Sequence, residues 1–249
     1  MPTTISINLN AVAMLRNRRN LPWPSLVHIG RIALKNGSSG LTVHPRPDQR
    51  HIRLTDLPEI RRLIDEEFPT AELNIEGYPS DEFLALCEKY RPEQATLVPD
   101  EPHQLTSDHG WDFVNNQELL TETVTRLHSL GSRVSLFADG DSQKHHLQIA
   151  KLTGADRIEL YTGPYGLCYN DPKKERICLE KLRITAHIAQ GLCLGINAGH
   201  DLTIQNIPSL IQKIPYISEI SVGHAFVATT LEYGAKETVL RFLHACRHF

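Results

Sequence analysis

None of the five cysteines (Cys87, Cys168, Cys178, Cys193 and Cys246) forms a Cys-x-x-Cys pair, and their number is odd. Free thiols in a reducing compartment are the simplest expectation. No apolar run approaches the ~20 residues needed to cross a bilayer. Met1-Pro2-Thr3-Thr4 does not lead into the basic segment and apolar core of a signal peptide, so a cytoplasmic location is expected. Nor is there an excess of either charge: 26 Lys and Arg stand against 29 Asp and Glu, a net charge of −3, and neither end carries a charged tail. That balance argues against a nucleic-acid binder, and no membrane partner is expected.

Several chemical signatures are missing as well. There is no His-Glu-x-x-His or other tight ligand spacing, so no metal is expected. A Walker loop, a Gly-x-Ser-x-Gly nucleophile elbow and a glycine-rich dinucleotide fingerprint are all absent. The nine lysines (35, 89, 144, 151, 173, 174, 181, 213 and 236) fall in segments read as helix or loop. None stands at a strand end, where a Schiff-base aldolase would need its amine.

What is present is a repeating alternation. Eight strand-length runs occupy residues 5–9, 40–44, 72–76, 94–98, 133–137, 157–161, 192–197 and 219–223, several of them nearly continuous in apolar character. Between them lie amphipathic segments, clearest at 119–130, 179–189 and 239–246. Asn36-Gly37, Leu130-Gly131, Thr153-Gly154 and Gln190-Gly191 read as helix ends, and Ser80 and Ser142 as helix starts. Eight strands alternating with helices over 249 residues predict an α/β chain folded as one (β/α)8 barrel across residues 1–249. A doubly wound open sheet is the competing architecture.

In such a barrel the chemistry gathers at the carboxyl ends of the strands. Those ends carry Asn8 and Asn10, His44 and Arg46, Glu76, Thr106, Asp139, Glu159, Asn197 and His200, and Gly223-His224. Two prolines stiffen the loop from His44 to His51 and present Arg46 and His51 as an anion clamp. Glu76 ends an apolar strand, where burial raises a carboxylate's proton affinity and suits it to general-base work; Glu159 is placed alike. Gly223-His224-Ala225 opens towards a helix, a setting in which backbone N–H groups hold phosphate. Arg16-Asn17-Arg18-Arg19 is a second anion candidate, Asp139 reads as a helix or loop cap, and His145-His146 belongs to a helix surface. From the residues alone the expectation is an acid–base enzyme, without cofactor, acting on phosphorylated small molecules.

The ordered motifs Val12-Ala13-Met14-Leu15-Arg16-Asn17-Arg18-Arg19, Leu41-Thr42-Val43-His44-Pro45-Arg46-Pro47-Asp48-Gln49-Arg50-His51-Ile52, Leu97-Val98-Pro99, Val134-Ser135-Leu136-Phe137, Ile158-Glu159-Leu160-Tyr161-Thr162-Gly163, Asn197-Ala198-Gly199-His200 and Gly223-His224-Ala225 give the chain a near end-to-end resemblance to the pyridoxine 5′-phosphate synthase family of vitamin B6 biosynthesis. The resemblance implies a (β/α)8 barrel, assembled as a homo-octamer. It further implies joining of 1-deoxy-D-xylulose 5-phosphate to 3-amino-2-oxopropyl phosphate, with release of inorganic phosphate and water and no metal or organic cofactor. It also implies His44 and Glu76 as proton acceptors, His200 as proton donor and Glu159 as transition-state stabiliser. By the same resemblance, Arg46, His51 and Thr106 contact the deoxyxylulose phosphate, and Asn8, Arg19, Asp201, Gly223 and His224 the aminoketone phosphate.

Two departures stand out. Where many members read Asn-x-Asp-His, this chain has Asn8-Leu9-Asn10-Ala11, and where many have glycine after the histidine it has Asp201. If the backbone at 201 holds phosphate, the Asp201 side chain must point away from the anion. A branch of the family resembles this chain at these positions, which reads as subtype variation. Two other functions fit the same residues: another sugar-phosphate lyase or epimerase, and a non-catalytic phosphate-metabolite binding protein.

Overall fold

The computed structural model describes residues 2–19, 21–100, 104 and 106–247. Met1, His248 and Phe249, the ends of the span expected to form one barrel, lie outside the described residues. Eight parallel strands close on themselves in chain order: β1 (Thr4–Asn8), β2 (Gly40–Val43), β3 (Glu72–Gly77), β4 (Gln94–Leu97), β5 (Arg133–Asp139), β6 (Arg157–Tyr161), β7 (Gly195–Gly199) and β8 (Glu219–Val222). Closure is made by β1 pairing with both β2 and β8, Ile7 facing Leu41 on one side and Val222 on the other.

Helices α1 (Asn10–Asn17) and α2 (Leu26–Lys35) follow β1, α3 (Leu57–Glu67) follows β2 and α4 (Asp81–Tyr90) follows β3. Then come α5 (Gln117–Ser129) after β4 and α6 (Lys144–Leu152) after β5. A short α7 (Gly163–Gly166) and the long α8 (Pro172–Gly191) follow β6. Helix α9 (Ile207–Lys213) follows β7, and α10 (His224–Tyr233) with α11 (Ala235–Ala245) follows β8. All nine lysines lie on these helices. Among the described residues no helix is long and apolar enough to cross a membrane.

The barrel is built from alternation, not from continuously apolar strands as the runs suggest. Ile5, Ile7, Leu41, Val43, Leu73, Ile75, Val134, Leu136, Ile158, Leu160, Ile220 and Val222 are all buried and pack outward under the helices. The intervening positions point inward and are largely polar. Ser6 shares a 2.7 Å hydrogen bond with Thr42, Asn74 Nδ2 donates to Thr42, and Thr96 donates to Asn74. Gln94 Nε2 on β4 donates to Glu219 on β8, and Asn197 Nδ2 on β7 donates to Gln94, contacts that cross the barrel interior. Each buried polar group must find a partner inside, and these side chains find one another.

The predicted helix ends hold at Gly37, Gly131 and Gly154, whose φ values of 106°, 86° and 91° need the left-handed region. Gly191 instead remains inside α8, and the turn is made by Cys193 at φ 58°. That displacement moves β7 to Gly195–Gly199, which starts three residues later and ends two later than the apolar run implies. Helix α8 also begins earlier than expected, because Asp171 accepts from Lys174 N at 3.1 Å and Pro172 occupies the first turn. Ser80 caps α4 as expected, accepting from Phe83 N, whereas Ser142 caps nothing: its hydroxyl donates to Asp139 O and α6 begins at Lys144.

Candidate active site

A cavity of about 320 Å³ opens at the carboxyl ends of the strands. Its wall includes Asn8, His44, Arg46, His51, Glu76, Thr106, Glu159, His200, Asp201, Gly223 and His224, eleven of the twelve residues to which the family resemblance gives a role. The twelfth, Arg19, is exposed beyond the end of α1 and does not line the cavity. His145 and His146 lie on α6, and Asp139 acts as a loop cap, its Oδ1 accepting from Gly110 N at 2.8 Å.

The side chains are tied to one another through β1. Asn8 Nδ2 donates to Glu76 Oε2 at 3.3 Å while Asn8 Oδ1 accepts from Asn10 N at 2.9 Å. Asn10 Oδ1 in turn accepts the His44 backbone N–H at 2.9 Å. That gives the amide at position 10 a structural task that needs only an acceptor oxygen, which amide and carboxylate both supply.

Burial and neighbouring charge set the protonation states. Glu76 is pushed up to about 7, chiefly by burial and then by the Asp100 carboxylate, against the opposing Asn8 hydrogen bond and Arg46. It therefore exchanges its proton close to neutral pH. Glu159 is held well above the ordinary carboxylate range by burial, with Glu76 and Glu219 adding to the effect, which favours its protonated form. Gly199 makes room for it: a Cβ there would meet Glu159 Oε1 at 2.3 Å. His44 lies well below the usual imidazole value because it is buried and faces Arg46, His51 and His200. His51 is lowered to about 4 by burial and by Arg46 and Arg50. Its Nδ1 accepts the Ile52 N–H at 2.9 Å, which leaves the ring proton on Nε2.

His200 sits on a tight turn after β7, at φ 77°, followed by Asp201 at φ 55°. Two successive non-glycine residues in the left-handed region are costly and need support. Thr162 gives it: its N–H donates to Gly199 O at 2.9 Å, and its hydroxyl lies within hydrogen-bonding reach of the carbonyls of both Gly199 and His200. The His200 ring packs against Phe137 and stands edge-on to Tyr161, with centroids 5.1 and 5.4 Å away. Burial lowers its proton affinity, opposed by Asp201 and Asp100.

Gly223 precedes α10, so the first N–H groups of that helix open beside Gly223, His224 and Ala225 in the cavity wall. A Cβ at Gly223 would come within 3.2 Å of Asn8 Cβ. Arg46 and His51 lie after β2, and β2 and β8 are the two neighbours of β1, so the two anion-binding candidates flank Asn8. Sequence reasoning missed Tyr161 and Ser107 as wall residues and Asp100 behind Arg46. The Tyr161 position at a strand end was the available signal; Asp100 and Ser107 lie in a loop with none. Among the described residues no group of three or more His, Cys, Asp or Glu is arranged to hold a metal ion.

Comparison with known proteins gives a concordant result. Residues 5–248 match the family described as "Pyridoxal phosphate biosynthesis protein PdxJ". The pyridoxine 5′-phosphate synthase of Rhizobium meliloti (strain 1021) is 62% identical over 247 residues, covering 99% of this chain and 98% of the relative. That of Allorhizobium ampelinum is 61% identical over 246 residues, with the same coverage of 99% and 98%. Among solved structures, tryptophan synthase of Mycobacterium tuberculosis superposes with a TM-score of 0.68 at 11% identity, covering 100% of this chain and 94% of that one, a likeness of fold alone.

Proposed function

The chain belongs to the PdxJ family of pyridoxine 5′-phosphate synthases, enzymes of vitamin B6 biosynthesis, and from that premise we propose that it joins 1-deoxy-D-xylulose 5-phosphate to 3-amino-2-oxopropyl phosphate, releasing inorganic phosphate and water. The carrying observation is that Glu76 and Glu159, from β3 and β6, and His44 and His200, just after β2 and β7, meet in one cavity with Glu76 poised at about 7.

In this reading Arg46, His51 and Thr106 grip the deoxyxylulose phosphate. The α10 N-terminus with Gly223 and His224 grips the aminoketone phosphate, and Asn8 lies between them. Clamping both ends supplies the orientation that lets an amine meet a ketone. Asp201 contributes through its backbone, with its carboxylate turned from the anion. Arg19, outside the cavity, has no part in the proposal.

The amine adds to the ketone, and the carbinol oxygen that forms must be protonated before it leaves as water. His200 delivers that proton: neutral in the free protein, it gains proton affinity when two phosphates bring negative charge into the cavity. Loss of phosphate and closure of the ring require protons to leave carbon. Neutral His44 and ionised Glu76 accept them, each such transfer contributing typically ~10²–10⁴-fold. Glu159, held protonated, donates a hydrogen bond to the oxygen that gains charge in the transition state. The chemistry is carried by these side chains without a cofactor, in a cytoplasmic protein.

The test is to mix the two substrates with purified protein and follow pyridoxine 5′-phosphate by mass and ultraviolet absorbance, with inorganic phosphate in parallel. Product and phosphate are expected to appear together. Tight binding of both substrates with no phosphate released would overturn the proposal.

A further inference from the structure

Behind Arg46 lies a carboxylate that no sequence motif singled out. Asp100 follows β4, and its side chain is 4% exposed against 5% for that of Arg46. Asp100 does not line the catalytic cavity. With His44 and Arg46 it lines a neighbouring groove of about 990 Å³, walled also by Tyr78, Phe83 and Trp111. One carboxylate oxygen, Oδ2, accepts from Arg46 Nη2 and, at 2.6 Å, from Ser107 Oγ. Arg46 Nη1 donates to the Gln104 carbonyl at 2.6 Å. Both terminal nitrogens of Arg46 are therefore oriented by the segment after β4. Asp100 Oδ1 is buried without a hydrogen-bond partner among the described residues.

A buried guanidinium must have a counter-charge. Without Asp100, the buried carboxylate left to answer Arg46 is Glu76, which already feels its charge. The geometry points to Asp100 as a positioning residue for the reaction proposed above: it holds Arg46 from behind, so that the guanidinium is presented to a substrate phosphate and not drawn into an ion pair with Glu76. The inference rests on that reading of the cavity. An orphaned Asp100 oxygen is hard to explain as a device for stability, since buried acceptors are ordinarily satisfied.

The electrostatics agree. Glu76 is faced by Asn8 from β1, Arg46 from the segment after β2, Asp100 from that after β4, Glu159 from β6 and Glu219 from β8. Asp100 and Glu219 raise its proton affinity while Arg46 and Asn8 lower it. Removing the Asp100 charge therefore acts on Glu76 twice, by losing a repulsion and by leaving Arg46 uncompensated.

The experiment uses the full-length protein and Asp100→Asn. Isotope-edited infrared titration follows the Glu76 carboxyl, assigned by difference from Glu76→Gln. Calorimetry measures affinity for inorganic phosphate and for 1-deoxy-D-xylulose 5-phosphate. The Glu76 midpoint is expected to fall by about one pH unit or more, and both affinities to weaken by about tenfold or more. Asp100→Glu, which keeps the charge, is expected to restore the midpoint. Lower thermal stability with midpoint and affinities unchanged would reduce Asp100 to a structural residue and overturn the inference. Should Asp100→Asn not fold, Ser107→Ala removes one donor to Oδ2 without altering charge. It is expected to weaken phosphate affinity several-fold, and unchanged affinity overturns the inference. The infrared titration needs no turnover. A shifted midpoint in a protein that makes no pyridoxine 5′-phosphate would therefore sink the proposed reaction and leave the role of Asp100 standing.

Discussion

Glu76→Gln is expected to make the protein inactive and, at neutral pH, more stable. In the fold the carboxyl is pushed up to about 7 from an ordinary 4.5, mainly by burial. That rise corresponds to about 3 kcal/mol of preference for the neutral acid. The sign follows from proton counting. Below about pH 4.5 both folded and unfolded chains carry the proton, and the group costs nothing. Between about 4.5 and 7 the unfolded chain loses its proton while the folded chain keeps it, so stability falls as pH rises; above about 7 the loss is complete. The penalty grows from about 1 kcal/mol at pH 5 to about 3 kcal/mol at pH 7. Glutamine is neutral throughout and retains an oxygen for the Asn8 hydrogen bond, so it escapes that penalty. Wild type and variant should therefore differ by about 1 kcal/mol at pH 5 and by about 3 kcal/mol at pH 7. For chains of this size the separation is about 2–4 °C in Tm per kcal/mol. Other titrating groups cancel in the difference, except Glu159, which feels the Glu76 charge. Denaturant or thermal unfolding from pH 5 to 8, with turnover measured on the same samples, makes the comparison. A variant offset from wild type by the same amount at every pH would refute the assigned burial cost, and a variant that turned over normally would refute the catalytic role.

Gly199→Ala places a Cβ 2.3 Å from Glu159 Oε1, and the carboxyl can move aside; turnover should fall by about 10²-fold or more, with a stability change under about 2 kcal/mol, read by kcat and by unfolding. Thr162→Val removes the hydroxyl beside the His200 carbonyl and should cost about 1–3 kcal/mol of stability and lower kcat, while Thr162→Ser recovers both. The pH profile of kcat/KM should lose activity as pH falls through about 7, where Glu76 takes up its proton, and the protonation of His51 at about 4 should add no inflection above pH 6.

The barrel was legible in the sequence because outward-facing side chains at every second position of eight runs had to be apolar to sit beneath helices, and Ile5, Ile7, Leu41 and Val43 are all fully buried. The strand-end residues were legible for a related reason: a parallel barrel sends every strand's carboxyl end to one face, so position along a run implies position at the mouth. Boundaries were not fixed in the same way. Gly191 and Cys193 both follow the amphipathic run 179–189, and the packing of β7 against β6 and β8 goes with a turn at Cys193. The polar filling of the barrel was equally hidden, because Gln94, Asn197 and Glu219 are 22 to 125 residues apart and become partners only when the sheet closes. Residue type, order and family resemblance placed eleven of the assigned groups in the cavity wall, but not the exclusion of Arg19 or the presence of Tyr161 and Ser107. The proton affinity of Glu76 and the orientation of Arg46 were decided by tertiary structure, since both depend on burial and on the distance to charges contributed by other strands.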